Sequence, residues 1–246
     1  MMPATDPDLL QALGAGARVA SAPVFARLPG LPPDASFVVL KEIVQIPGWP
    51  SQGDGILGQA WFGGHVWTWD YGRRKLILRP DGWTPGAKAH PVSVSFKTDA
   101  AGQRETNFPR IEIRVDGETI PVLFDTGAET YLTPEALKGL NDGGPRLRAT
   151  TMIMHSVFER WHAAHPDWAV IENAQVATHS RMMRLPSVEV GGVTTGPVWV
   201  TERPDANFMN YMSAMMSGPV QGSAGGNVFH NLSITLDYPH SRMWVE

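Results

Sequence analysis

Residues Ile120–Ala128 read IPVLFDTGA. A short, nearly unbroken apolar run is the pattern of a strand buried on both faces, and this one delivers a carboxylate, Asp125, at its end. Thr126, Gly127 and Ala128 are all small, so the chain can turn tightly there. Backbone N–H groups of such a turn can approach the carboxylate and fix its orientation. Upstream, Ile111–Val115 (IEIRV) alternates apolar and polar residues as a half-buried strand does, and Asp116-Gly117 is a hairpin turn. The spacing therefore predicts two strands joined by Asp-Gly, with an acid at the tip of the second. Val92–Phe96 alternates in the same way and predicts another strand.

Further out, Thr133-Pro134-Glu135-Ala136-Leu137 carries a Thr N-cap and a Pro at the first helical position. Residues 156–165 and 206–216 also read as helices, and Leu185–Val190 and Pro197–Thr201 as strands. The chain then repeats itself. Residues 51–78 (SQGDGILGQAWFGGHVWTWDYGRRKLIL) and 221–245 (QGSAGGNVFHNLSITLDYPHSRMWV) align on Asp70-Tyr71 and Asp237-Tyr238 with an offset of 167 residues. Gly55, Gly58, Phe62 and Thr68 then fall on Gly222, Gly225, Phe229 and Thr235. Each copy reads as a Gly-rich approach, a short turn of helix and a closing hairpin. A repeat of this period is too long for a solenoid and suggests a duplicated lobe. Pro80–Pro91, with three Pro and two Gly, is the expected linker. The organisation predicted is an incomplete first lobe over 1–79, a linker over 80–91 and a complete lobe over 92–246.

Composition sets the outer bounds. The 246 residues include 25 Gly and 21 Pro spread along the chain, which favours many short strands and turns over long helices. Nine Trp and nine Phe are too much apolar surface for a disordered chain. With 20 basic and 24 acidic residues intermixed, there is no electrostatic footprint for nucleic acid. No apolar run approaches the length of a membrane span. There is no cysteine, which removes disulfides, thiolate nucleophiles and Cys-type zinc sites. The N-terminal stretch lacks a basic start followed by an apolar segment, so the expectation is a cytoplasmic protein, or a periplasmic, exported one whose signal is missing.

The run Leu123-Phe124-Asp125-Thr126-Gly127-Ala128 resembles the signature of the retropepsin-like and pepsin-like aspartic peptidases, particularly bacterial aspartyl-protease domains. Gly225-Gly226-Asn227 before Val228-Phe229 fits the place of that family's second element, with Ala224 where a bulky aliphatic is usual. Gly55-Ile56-Leu57-Gly58 is a better copy in the first lobe. The resemblance implies a mainly β, acid-protease fold of closed, barrel-like lobes with short helices. It implies a hydrolase that cleaves a peptide or protein substrate with water and without metal or organic cofactor. Asp125 would be one of two catalytic aspartates, with Thr126, Gly127, Ala128, Gly225, Gly226 and Asn227 supporting the loop, and Thr126 tying two catalytic loops together.

Such chemistry needs two carboxylates close enough to share one proton, so that one serves as base and the other as acid toward a bound water. The sequence offers one Asp-Thr-Gly. The counterpart of Asp125 at the repeat offset falls before Met1, and Asp6 has neither the preceding strand nor the following Thr-Gly. Three readings stand: a second Asp from a missing N-terminal segment, a homodimer pairing Asp125 with its copy, or a catalytically inactive peptide-binding or scaffolding relative. The first is favoured, because the first-lobe remnant is coherent on its own. An unrelated β module with Asp125 as a turn residue is a weaker alternative.

Other features read as structure. His162 and His165, one turn after Glu159, lack the His-Glu-x-x-His pattern of a zinc helix. Asp70 and Asp237 read as hairpin-turn acids. Met209–Met216 and the cluster Trp61, Trp67, Trp69 read as core, and no Gly-x-Ser-x-Gly elbow is present.

Overall fold

The computed structural model describes residues 18–21, 36–39 and 58–246, and these fall into two units, Met1–Phe62 and Gly63–Glu246. In the first, β1 (Arg18–Ser21) and β2 (Ser36–Val39) form an antiparallel pair, and α1 (Gln59–Phe62) is a single turn of helix. Gly55-Ile56-Leu57 and the start of the chain, Asp6 included, lie outside the described residues. The second unit opens with β3 (Val66–Asp70), β4 (Lys75–Leu78), β5 (His90–Val92), β6 (Val94–Ser95), β7 (Arg110–Val115) and β8 (Glu118–Phe124). Then come β9 (Glu129–Tyr131), α2 (Pro134–Leu140), β10 (Leu147–Ala149), β11 (Thr151–Met154) and α3 (His155–Ala164). The chain continues through β12 (Val170–Ile171), β13 (Met182–Leu185), β14 (Val188–Val190), β15 (Val193–Thr195) and β16 (Val198–Arg203). Two short helices of π and 3-10 type, Asn207–Met212 and Ser213–Met215, precede β17 (Gly222–Ala224), β18 (Ser233–Asp237) and β19 (Arg242–Val245).

The protein is mainly β, as its Gly, Pro and alternating runs predict. The expectation of closed, barrel-like lobes is corrected: among the described residues the sheets are open, and none closes into a barrel. The larger sheet runs β12-β13-β16-β11-β17-β8-β7-β14-β15, with β6 also on β7. Its centre is the hairpin read from sequence. β7 and β8 pair along their whole length, and Asp116 and Gly117 both take positive φ (47° and 80°), the geometry of a tight hairpin turn. Ile111, Ile113, Val115, Ile120 and Val122 are all at most 1% exposed, so this hairpin is core on both strands.

Three local expectations shift. Val92–Phe96 is not one strand; it breaks after Val92, with β5 joining one sheet and β6 the other. Leu185–Val190 breaks at Pro186, which cannot donate to a ladder, so β13 and β14 pair with different neighbours. The helix expected over 206–216 is two short irregular turns instead. The cap read at Thr133 is present, its hydroxyl accepting the Ala136 N–H at 3.1 Å. The stretch 80–91 runs inside the second unit, whose boundary falls at Phe62/Gly63.

The second sheet has the order β4-β3-β18-β19-β5, and it brings the two repeated segments face to face. Thr68 pairs with Thr235 at its centre, with their hydroxyls 2.7 Å apart, at the repeat offset of 167 residues. The hydrogen bonds around this point are reciprocal. Tyr71 N–H donates to the Leu232 carbonyl at 3.1 Å, and Tyr238 N–H donates to the His65 carbonyl at 3.2 Å. Asp70 accepts the Arg73 N–H at 2.9 Å, and Asp237 accepts the His240 N–H at 3.1 Å. Arg74 and Ser241 occupy the same left-handed turn position, with φ of 54° and 53°. The sequence repeat is therefore a local two-fold axis through the Thr68–Thr235 pair, and Asp70 and Asp237 are turn acids at equivalent places.

The hydroxyl pair is fully buried, and Arg79 Nε donates to Thr68 Oγ1 at 2.8 Å. Thr235→Val is expected to lower stability by about 1 kcal/mol, and a double-mutant cycle with Thr68→Val to show a coupling of roughly 0.5–1 kcal/mol in urea unfolding. Strict additivity of the two changes would mean that the pair contributes nothing of its own.

Candidate functional site

Asp125 sits one residue past the end of β8. The chain is held there because β17 inserts between β8 and β11, parallel to β8 and antiparallel to β11. The Asp125 N–H donates to the Ala224 carbonyl at 3.0 Å, so the acid is registered to the strand that precedes Gly225. The turn that follows folds back on the carboxylate. Gly127 N–H donates to Asp125 Oδ1 at 3.1 Å, and the Ala128 N–H donates to the Asp125 backbone carbonyl at 3.2 Å. Ala128 is buried and its carbonyl accepts the Thr150 N–H at 3.0 Å, tying the turn to the start of β11.

Gly225 is where two backbones touch. A Cβ on it would lie 1.8 Å from the Thr150 carbonyl oxygen, so no side chain fits. Its N–H donates to Thr151 Oγ1 at 3.1 Å, and that hydroxyl donates to Asn227 Oδ1 at 2.9 Å. The Asn227 amide nitrogen then donates to the Trp199 carbonyl at 2.7 Å, clamping β17 to β16. Asn227 thus links the segment after β17 to both β11 and β16. Gly226 faces the ring of Tyr71, which a Cβ would approach to 2.8 Å.

Tyr71 is the member of this site that sequence reasoning missed. It comes from the first copy of the repeat and packs at 5.8 Å on Phe229, which lies 5.3 Å from Phe124, the residue before Asp125. Its hydroxyl is buried and hydrogen-bonds to none of the described residues. Burial, and then the nearby charge of Asp125, push its ionisation well above the ordinary tyrosine range. The available signal was the offset itself. Tyr71 and Tyr238 are equivalent, and the two-fold carries each across to the other copy.

Asp125 is half-buried, and its carboxyl is raised above the usual value because burial disfavours the charged form. The Gly127 and Ala128 amides act in the opposite direction without overcoming it. Among the described residues no second carboxylate contributes to that shift. Thr126 is exposed and makes no hydrogen bond to the described residues, so the loop-to-loop tie that the resemblance implies is not among them. The arrangement supplies one oriented, partly dehydrated carboxyl on a rigid small-residue turn, able to give or take a proton closer to neutrality than a surface aspartate.

The histidines His162 and His165, which lack the zinc-helix pattern, have defined surroundings. His165 stacks on Trp168 with ring centroids 4.0 Å apart and pairs with Asp116 at 3.0 Å, while His162 Nδ1 is buried with no partner among the described residues. A different trio, His155, Glu159 and Glu202, brings its ligand-type atoms within 4.8 Å of one another. Arg181 already supplies the positive charge there. It reaches Glu202 through two nitrogens at 2.7 and 2.8 Å and also binds Glu159. Burial alone would raise Glu202; the hydrogen bonds from Arg181 and His155 overcome it and hold the carboxylate below its usual range. The guanidinium occupies the role a metal would take. Among the described residues no helix is long and apolar enough to cross a membrane.

No protein-family model matches this chain, and no curated protein matches its sequence.

Two outcomes follow for the loop. Gly225→Ala is expected to cost about 3 kcal/mol or more, or to prevent folding, because the obstacle is backbone; Gly226→Ala should cost less, since the Tyr71 ring can shift. Thermal unfolding of the two variants checks the order. The raised Asp125 carboxyl also has a linkage consequence. A group that holds its proton more tightly when folded penalises the fold once it ionises, so stability falls as pH rises from the unfolded pKa to the folded one. Asp125→Asn removes that penalty. Its melting temperature relative to wild type should rise with pH above the ordinary aspartate range, and a difference independent of pH would contradict the assigned shift.

Proposed function

We propose that this protein is an aspartic-type peptidase of the retropepsin/pepsin-like fold, in which Asp125 activates water against a peptide carbonyl. The observation that carries this reading is a half-buried carboxyl held by the Gly127 amide on a small-residue turn under which β17 is wedged. A solvated turn aspartate would be neither dehydrated nor wedged in this way. The local two-fold through Thr68 and Thr235 supports it further. Duplicated halves related by an axis are the architecture in which a second, equivalent acid is brought opposite the first. That second carboxylate comes from outside the described residues, supplied by a further segment of chain or by a second copy. The pair shares one proton, one member withdrawing a proton from water while the other donates to the carbonyl oxygen. No covalent intermediate forms and no cofactor takes part.

One observation favours a second reading. Among the described residues no carboxylate is paired with Asp125, the situation expected of a relative that binds extended peptides without cleaving them. Incubation with a peptide library at acid and neutral pH, with Asp125→Asn as control, separates the two. A peptidase shows cleavage in wild type that falls by at least about a thousandfold in the variant, the usual scale when a group essential to proton transfer is removed. Equal cleavage by both proteins removes Asp125 from the mechanism. Binding without cleavage by either protein supports the silent relative.

A further inference from the structure

At the ends of β11 and β16 away from Asp125, the surface opens into a cleft of about 560 Å³. Both strands run in parallel, with Thr151 beside Val200 at the Asp125 end and Met154 beside Arg203 at the other, so the cleft lies roughly 10 Å along the strand from the acid's loop. Its lining includes His155, Thr178, His179, Ser180, Arg203 and Asp205.

Arg203 is the anomaly. It is only 7% exposed, yet no carboxylate lies within ion-pair distance of it among the described residues. One nitrogen, Nη1, carries all its hydrogen bonds: to Ser180 Oγ at 3.2 Å, Thr178 Oγ1 at 3.5 Å and the Glu202 carbonyl at 3.0 Å. Among the described residues, Nε and Nη2 have no acceptor. Burial with no compensating charge pulls its ionisation down to about 10. A buried charge is ordinarily paired, because an unpaired one forfeits hydration and receives nothing in return.

The acids around the cleft are already engaged. Glu202 is bound by Arg181 and by His155 Nδ1, the latter at 2.5 Å, and Asp205 Oδ1 accepts the Ser156 N–H at 3.0 Å in the first turn of α3. The hydroxyls are engaged as well: Thr178 Oγ1 donates to Gln175 Oε1 and bonds Ser180 Oγ at 2.6 Å, while both oxygens accept from Arg203. His179 commits only Nδ1, to Asn173 at 2.6 Å. The fork of an arginine matches the two oxygens of a carboxylate or phosphate. We propose that this cleft is an oxyanion-binding site, separate from the Asp125 loop, in which the open edge of Arg203, oriented by Ser180 and Thr178, takes a phosphate- or carboxylate-type group with His179 beside it. The inference does not depend on the peptidase reading.

The test follows the Arg203 Nε–H resonance of the full chain by NMR, titrating inorganic phosphate and acetate in separate arms at constant ionic strength held with sodium chloride. A saturable shift in either arm is expected, and the tighter arm identifies a tetrahedral or a planar group. Arg203→Met, titrated beside wild type by isothermal calorimetry, is expected to weaken that anion by about tenfold or more, the usual scale for a charge-assisted hydrogen bond. Circular dichroism establishes that the variant is folded; if it is not, the wild-type titration decides alone. Failure of the Arg203 resonance to respond saturably to either anion overturns the proposal. So does a folded Arg203→Met that binds as tightly as wild type.

Discussion

The approach of Gly225 to the Thr150 carbonyl is the contact on which the rest of the second unit turns. It lets β17 slide between β8 and β11, and without that wedge the two strands would have no common neighbour. Asp125 takes its backbone register from Ala224, the residue before that glycine, and Asn227, two residues after it, fastens the wedge to β16. A carboxylate at the end of an apolar strand would normally reach for water. Here the strand insertion, the Tyr71–Phe229–Phe124 aromatic cluster and the small-residue turn hold it partly dry, and that dryness raises its affinity for a proton. Packing and chemistry meet at a position where the addition of one methyl group would collide with backbone.

How much of this was legible in the sequence follows from the range of the interactions. The β7–β8 hairpin, the Thr133 cap and α3 are set by neighbours a few residues apart, and periodicity and turn chemistry find such features. The repeat was legible too, because two segments that make the same contacts keep the same Gly, Thr, Asp and Tyr positions. What the pattern could not say was that the copies pair with each other, since identity reports likeness and not adjacency. Tyr71 was missed for that reason. It serves the loop of the other copy, and nothing near it in sequence points there. The split of Val92–Phe96 between two sheets was hidden because alternation shows that a segment is half-buried without showing which partner buries it. Barrel closure was carried over from the resemblance and was never visible in the residues.

The two ends of β11 have opposite electrostatic problems. At one end a carboxyl is dehydrated and responds by holding its proton. At the other a guanidinium is dehydrated and cannot practically give its proton up, so its charge stays and seeks an acceptor. Between them, the hydroxyls of Thr150 and Thr201 satisfy each other at 2.7 Å and leave the middle of the sheet neutral. The charged groups lie at the strand ends, which is where loops can shape space around them.

The five-stranded sheet carries an asymmetry inside its symmetric core. β19 is flanked on its outer side by β5, whereas β4, its counterpart across the axis, has no outer neighbour among the described residues. That strand reads KLIL, with Leu76 and Leu78 at 47% and 41% exposure. A bare apolar margin of this kind acts as a template, since any extended backbone laid against it gains a ladder of hydrogen bonds and cover for two leucines. Crowding would make itself felt there before anywhere else on this sheet, and the cure is a lysine or proline stitched into the hem.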